Sequence, residues 1–295
     1  MLQLIELTKE YGSTRAVENL SLKVGEGEIF GFLGPNGAGK STTIHCLLDF
    51  VRPTSGRTEV MGMDCRRQGR QIRRRIGYLS GDVALYEDMT GDEVLDYCGR
   101  LSGGVDPAFQ RRLTERFEID PAVKLKGCSK GMRQKIGLIQ AFMHDPELLI
   151  LDEPTSGLDP RMQQAFTDLI LEEKKRGKTI FMSSHILSEV EKTCDRVGLI
   201  RRGRLVLVKE VGELKKSRRK VVEAIFSGEV PIEELTAVAV DDLEQPESSR
   251  VRFHYQGDLQ ALLAVLSRYP LENLHVRDAS LEEVFADYYE GREGL

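Results

Sequence analysis

Gly34-Pro35-Asn36-Gly37-Ala38-Gly39-Lys40-Ser41-Thr42 fills every fixed position of the pattern G-x-x-x-x-G-K-[ST]. The run before it, Glu28 to Leu33, is short and mostly apolar, and reads as a buried strand. The run after it, Thr42 to Leu48, reads as a helix. Strand, glycine loop and helix are the context in which this pattern holds phosphate. Gly34, Gly37 and Gly39 let the backbone turn tightly and aim its N–H groups inward. The helix start adds free N–H groups and partial positive charge. Lys40 supplies a point charge for the β- and γ-phosphates, and Ser41 a hydroxyl for Mg²⁺. The pattern implies a nucleoside triphosphate ligand.

Chemistry on that ligand needs groups from elsewhere in the chain. Leu148 to Leu151 is a continuous apolar run ending in Asp152 and Glu153. It reads as a central parallel strand buried on both faces. An acid pair at such a strand end can divide the work: Asp152 holds Mg²⁺, directly or through water, and Glu153 orients or deprotonates the attacking water. In-line attack on a γ-phosphate needs positioning and charge neutralisation more than covalent chemistry. His185 closes the later strand Thr179 to Ser184, where an imidazole can reach that phosphate. Tyr11 sits in the turn after a first strand, residues 2–7, ahead of a second, residues 20–24. A phosphate loop holds no base, so Tyr11 is a candidate stacking platform; otherwise it is a rim tyrosine.

Strands and helices alternate over the first two thirds of the 295 residues, which predicts an α/β domain with ligands at the carboxyl ends of its strands. Between about 82 and 145 the pattern turns helical, with Val94, Leu95, Cys98, Leu101, Phe109, Leu113 and Phe117 at core spacing. Residues 66–75 carry six arginines, a solvated helix face or one drawn to anionic lipid. The net charge of −5 is uneven. Residues 213–295 hold 10 basic and 17 acidic residues, and the rest of the chain 32 and 30. That step supports a boundary near 214, with a small α+β domain over 215–295. Its predicted core is Val221, Ile225, Val251, Phe253, Leu262, Leu266 and Phe285. Asp258 reads as a helix N-cap with Leu259 and Leu263 on the buried face, and Ser280 to Glu283 as a capping box. No basic surface suggests nucleic acid. No apolar run reaches the roughly 18–20 residues of a membrane span. The five cysteines form no C-x-x-C pair and read as reduced thiols.

Taken in order, these motifs resemble those of the ATP-binding subunits of ABC transporters over about residues 2–212. The order is the phosphate loop, a signature region at Cys128-Ser129-Lys130-Gly131-Met132, the strand ending Asp152-Glu153, Ser156-Gly157-Leu158-Asp159, and His185. The resemblance implies the P-loop NTPase fold of ABC ATPases, with ATP and Mg²⁺ as ligands. It also implies a head-to-tail homodimer on ATP binding, each nucleotide lying between one protomer's phosphate loop and the other's signature. Ser129, Gly131 and Met132 would then touch the γ-phosphate, and Asp159 would sit at the seam. The tail, with its Ser280-to-Phe285 stretch, looks like the C-terminal modules of subunits serving ABC-2-type exporters.

Three departures stand out. Lys130 replaces a glycine of the common signature. Leu101-Ser102-Gly103-Gly104 looks closer to that signature but does not open a helix leading into the Asp152 strand. Gly81 stands where the family's glutamine follows Ile76 to Leu79, and that glutamine normally touches Mg²⁺ and senses the membrane partner. The expectation is a cytoplasmic ATPase that drives an exporter through a separate transmembrane permease, at the inner face of the membrane. The alternatives are a soluble ABC ATPase with a non-transport partner and a nucleotide-gated binding protein with little turnover. For the tail, the expectation is a role in association or regulation, with Tyr288 and Tyr289 as an apolar patch.

Overall fold

The apolar runs that read as buried strands pair with one another in parallel. The computed structural model describes residues 1–216, 219–228, 230–238, 240–280 and 283. The chain divides into two units, Met1–Val211 and Gly212–Leu295.

In the first unit, β1 (Leu2–Tyr11) and β2 (Thr14–Val24) form an antiparallel hairpin. β3 (Ile29–Leu33) runs into α1 (Lys40–Leu47). A second hairpin, β4 (Ser55–Val60) and β5 (Met63–Asp64), precedes α2 (Cys65–Arg73) and β6 (Ile76–Leu79). The helical stretch holds α3 (Gly91–Leu101), α4 (Pro107–Arg116) and α5 (Lys130–Phe142). Then come β7 (Leu148–Asp152), α6 (Pro160–Lys175), β8 (Thr179–Ser184), α7 (Leu187–Thr193), β9 (Arg196–Arg201) and β10 (Arg204–Glu210).

The large sheet has the order β10-β9-β3-β8-β7-β6, with β10 antiparallel to β9 and the other neighbours parallel. Every residue of β3, β7 and β8 is buried, as a sheet covered on both faces requires. These three strands are adjacent and parallel, so their carboxyl ends deliver Gly34, Glu153 and His185 to one edge of the sheet. A second sheet, β2-β1-β4-β5, shares one core with the first. Phe32 and Phe181 meet in that core with ring centroids 5.5 Å apart.

Several boundaries differ from the sequence reading. β1 and β2 extend to a tight turn at Gly12 (φ +58°), so Tyr11 is the last strand residue and Thr14 to Asn19 is strand. The stretch mixes polar residues with buried Val17 because one side of the hairpin faces solvent and the other the core; Arg15 there pairs with Glu10 at 2.7 Å. Leu101 is 64% exposed rather than core, because it lies at the end of α3 beyond the buried pair Val94 and Leu95. Burial pushes the Cys46 and Cys65 thiols up to about 11 and Cys194 to about 12, so they stay protonated and inert. No helix among the described residues is long and apolar enough to cross a membrane.

α8 (Val211–Lys216) follows β10. The second unit contains β11 (Lys220–Phe226), α9 (Ile232–Ala237), β12 (Val240–Glu247), β13 (Arg250–Tyr255), α10 (Leu259–Leu266) and β14 (Leu271–Asp278). Its sheet is antiparallel, in the order β12-β13-β11-β14. Val251, Phe253, Leu262 and Leu266 lie in its core as the alternation predicts. β11 puts Val222, Ala224 and Phe226 into that core, not the Val221–Ile225 side. Both faces of β11 carry apolar residues, so period alone does not fix the direction. Leu263 is 46% exposed. The Asp258 carboxylate caps α10 through the Gln260 N–H at 3.1 Å. Glu283 accepts from the Ser280 N–H at 2.8 Å and donates its own N–H to Ser280 Oγ at 3.3 Å, which completes the capping box. Phe285, Tyr288 and Tyr289 lie outside the described residues.

Candidate functional site

The phosphate loop is shaped by close backbone approach. Gly39 has φ +108°, and a Cβ there would stand 2.5 Å from the Ala16 carbonyl oxygen, so no other residue fits. The loop is pinned from outside: the Gly34 N–H donates to Ser184 O at 3.3 Å, and the Gly203 N–H to Ala38 O at 2.9 Å. Lys40 opens α1 and is 5% exposed. Its ammonium donates to the Gly34 and Pro35 carbonyls at 2.6 and 3.2 Å and lies 3.2 Å from Glu153 Oε1. Ser41, in the first turn of α1, is exposed. Pro35, Asn36, Gly37, Ala38 and Thr42 complete the loop and the helix start around Lys40.

Asp152 is buried at the end of β7, where its carboxylate accepts from the Ser183 hydroxyl of the neighbouring strand. Glu153 follows in the left-handed region, φ +48°, a strained conformation for a side-chain-bearing residue. The surroundings hold it there. Ser183 Oγ accepts the Glu153 N–H at 3.1 Å, and buried Gln134 of α5 donates to the Glu153 and Pro154 carbonyls at 3.2 and 2.9 Å. His185 Nδ1 lies 2.6 Å from Glu153 Oε2. One carboxylate therefore joins the loop lysine to the histidine, across β3, β7 and β8.

Gly81 lies against Asp152: a Cβ at 81 would stand 3.4 Å from Oδ2, an ordinary contact that leaves room for a side chain. One buried carboxylate and the Ser41 hydroxyl suit Mg²⁺, which keeps several waters and takes the rest of its oxygens from phosphate. Among the described residues no cluster of three or more acids, histidines or cysteines forms a cage for a metal.

Ser129 N-caps α5, accepting the Met132 N–H at 3.2 Å, and is exposed. Its hydroxyl keeps its own proton to donate. A Cβ on Gly131 would stand 2.6 Å from the Gly157 carbonyl oxygen, so the signature packs backbone against backbone on the 156–159 loop. Lys130 Nζ donates to Ser156 Oγ at 2.8 Å, tying the same two segments together. Asp159 N-caps α6 through the Met162 N–H at 3.0 Å. Ser102 instead ends α3 and donates to the Cys98 carbonyl at 3.0 Å. A helix end presents carbonyls, which repel phosphate. Tyr11 is 48% exposed, with the Lys9 ammonium 4.8 Å from its ring centroid.

The sequence reading missed Gln134, Ser183 and Glu189. Glu189 accepts hydrogen bonds from Thr155 and Ser184. A signal existed for Gln134, a polar residue within a helix otherwise apolar on its inner face. Ser183 and Glu189 carry no such mark.

A phosphate loop, a Lys–Glu–His chain across three parallel strands and a serine-capped helix define an α/β P-loop nucleoside triphosphatase. Residues 17–156 match the ABC transporter family. The bacitracin transport ATP-binding protein BcrA of Bacillus licheniformis is 36% identical over 301 residues, covering 95% of this chain and 94% of that protein. The chain belongs to the family of ABC transporter ATP-binding subunits, and it binds and hydrolyses ATP. A fluoroquinolones export ATP-binding protein of Mycobacterium tuberculosis is 35% identical, covering 92% of this chain and 87% of that protein. A solved ATP-binding subunit of an ABC transporter is 30% identical, with a TM-score of 0.67 over 73% of this chain and 92% of its own.

Proposed function

We propose that this subunit powers an export-type transporter through a separate membrane-embedded protein, by Mg²⁺-dependent hydrolysis of ATP between two head-to-tail copies. The observation that carries the catalytic part is Glu153, held 3.2 Å from Lys40 Nζ and 2.6 Å from His185 Nδ1. Lys40 and the loop N–H groups hold the phosphates. Asp152 and Ser41 hold Mg²⁺, which when bound neutralises charge on the β- and γ-phosphate oxygens. Glu153 orients the attacking water and takes its proton, while His185 steadies both Glu153 and the γ-phosphate. Tyr11 stacks on the base. Exposed Ser129 and the start of α5 serve the nucleotide of a second copy, with Asp159 at the seam.

Export is supported by the fluoroquinolones exporter among the relatives. For the membrane partner, the helical stretch of 82–145 offers an exposed apolar face. Tyr86 and Tyr97 are 60% and 44% exposed and meet edge to face, 5.9 Å between centroids. Exposed Leu101 lies one turn beyond Tyr97 on α3, and so on the same helix face. Aromatic anchors of this kind suit a partner interface. On this reading the chain works at the cytoplasmic face of the membrane, held there by its partner. The test is capture of the tagged chain from detergent-solubilised membranes. A polytopic membrane protein should be retained by the wild type and lost from Tyr86→Ala/Tyr97→Ala. Retention of soluble partners alone would overturn the transport reading.

A further inference from the structure

Thr155, Ser184 and Glu189 form a cluster that none of the motifs names. Thr155 and Ser184 are 5% and 1% exposed. The Thr155 hydroxyl donates to Glu189 Oε1, and the Ser184 hydroxyl to Oε2 at 3.0 Å. Thr155 lies two residues after Glu153, and Ser184 immediately before His185. Ser184 is also the residue whose carbonyl receives the Gly34 N–H at the mouth of the phosphate loop. One side chain on α7 thus ties together the segments that carry the base, the histidine and the loop.

We propose that Glu189 is a positioning residue for hydrolysis, fixing the separation between Glu153 and His185. Two hydroxyl donors converging on one side chain call for an acceptor with two oxygens, and an ionised carboxylate takes both with charge-assisted bonds. An amide would present one oxygen and an NH₂ group. Ser184 Oγ already accepts the Ile186 N–H at 2.9 Å, so it has little capacity to receive that donor. Glu153 also needs restraint, because its left-handed backbone persists only where the surroundings over-determine it. Ser183 and Gln134 hold it from one side, and the Thr155–Glu189 bond holds the segment that follows. A misplacement of about an ångström at a reacting group costs about 100-fold in rate.

This rests on the assignment of Glu153 and His185, so Glu153→Gln is run beside every variant. That control keeps ATP binding and loses turnover if the assignment is right; wild-type turnover would sink the assignment itself, separately from Glu189. Glu189→Ala is expected to lower kcat about 10- to 100-fold, with affinity for a fluorescent ATP analogue within about threefold of wild type. Glu189→Gln, of the same shape, is expected to fall between the two. In a His185→Ala background, Glu189→Gln is expected to cost less than about twofold, because the distance it maintains no longer matters. Equal losses in affinity and kcat, an additive double variant, or a Glu189→Gln enzyme with wild-type turnover would each overturn the proposal.

Discussion

Glu153 is the residue at which the site's demands meet. Its strained backbone, with the Lys40 ammonium and the His185 imidazole beside its carboxylate, is compatible with a base that must keep its place while a nearby charge builds up. Glu153→Gln keeps the shape and removes the basicity. It is expected to retain ATP affinity within about threefold and to lose about 100-fold or more in turnover, the usual scale for a general base. Lys40→Ala is expected to fail earlier, at binding, if the buried ammonium is the point charge for phosphate that its place in the loop suggests. Titration with a fluorescent ATP analogue and a phosphate-release assay separate the two. Unchanged affinity in Lys40→Ala, or near wild-type turnover in Glu153→Gln, would contradict these roles. Residues whose place in the fold follows from fixed local spacing, such as Lys40 at the start of α1 and Asp152 at the end of β7, were legible in the sequence. Glu189 and Ser183 were not, since Thr155 and Asp152, which they meet, lie about 30 residues away and reach them only through the pairing of β7 with β8.

At the scale of elements, what a serine does depends on which end of a helix it occupies. Ser129 opens α5, and Ser102 closes α3. Ser129→Arg places a bulky side chain where a second copy's γ-phosphate is expected, and should abolish ATP-driven dimerisation in a Glu153→Gln background. Ser102→Arg should leave it intact. Light scattering with and without ATP decides, and the opposite pattern would move the signature to residues 101–104. Helix caps were readable where a polar residue precedes an apolar run, as at Asp258. β12 was not readable, because its sequence Val-Asp-Asp-Leu-Glu-Gln-Pro-Glu is that of a solvated edge strand with little apolar alternation.

The capping box at Ser280 carries a pH dependence of its own. Arg277 donates to both oxygens of Glu283 at 2.7 and 2.8 Å, Arg252 adds 2.6 Å, and together with the Ser280 N–H they pull its carboxyl down from 4.5 to about 2. A folded-state value below the unfolded one means stability that is present above about 4.5 and lost as pH falls toward about 2. The group is partly solvated, which reduces the effect. Glu283→Gln should therefore lower the thermal midpoint of the second unit by roughly 2–5 °C at pH 7. The gap to wild type should narrow as pH falls below about 4.5. A gap that stays constant from pH 7 to pH 3.5 would show that the carboxylate's charge contributes nothing there.

For the whole molecule, the question is what the second unit does for the first. It has its own core and carries 17 acidic against 10 basic residues over 213–295. Its edge strand β12 exposes Asp241, Asp242, Glu244 and Glu247. Two copies brought together would repel through such surfaces, an effect that salt screens over a length of about 10 Å at 0.1 M. The expectation is that the unit makes association of the full chain depend on ionic strength, whether it also supplies contacts or only charge. A chain ending at residue 216 keeps the whole first unit, Met1–Val211, with the phosphate loop, Glu153 and His185, and ends with α8. It is expected to bind ATP within about twofold of the full chain. Its ATP-driven dimer constant should change less between about 50 and 500 mM salt than that of the full chain, and its turnover should follow the dimer. Sedimentation and phosphate release at both ionic strengths test this. If the two proteins match in affinity, dimer constant and turnover at each salt concentration, the second unit is an appendage to hydrolysis, and its role lies elsewhere.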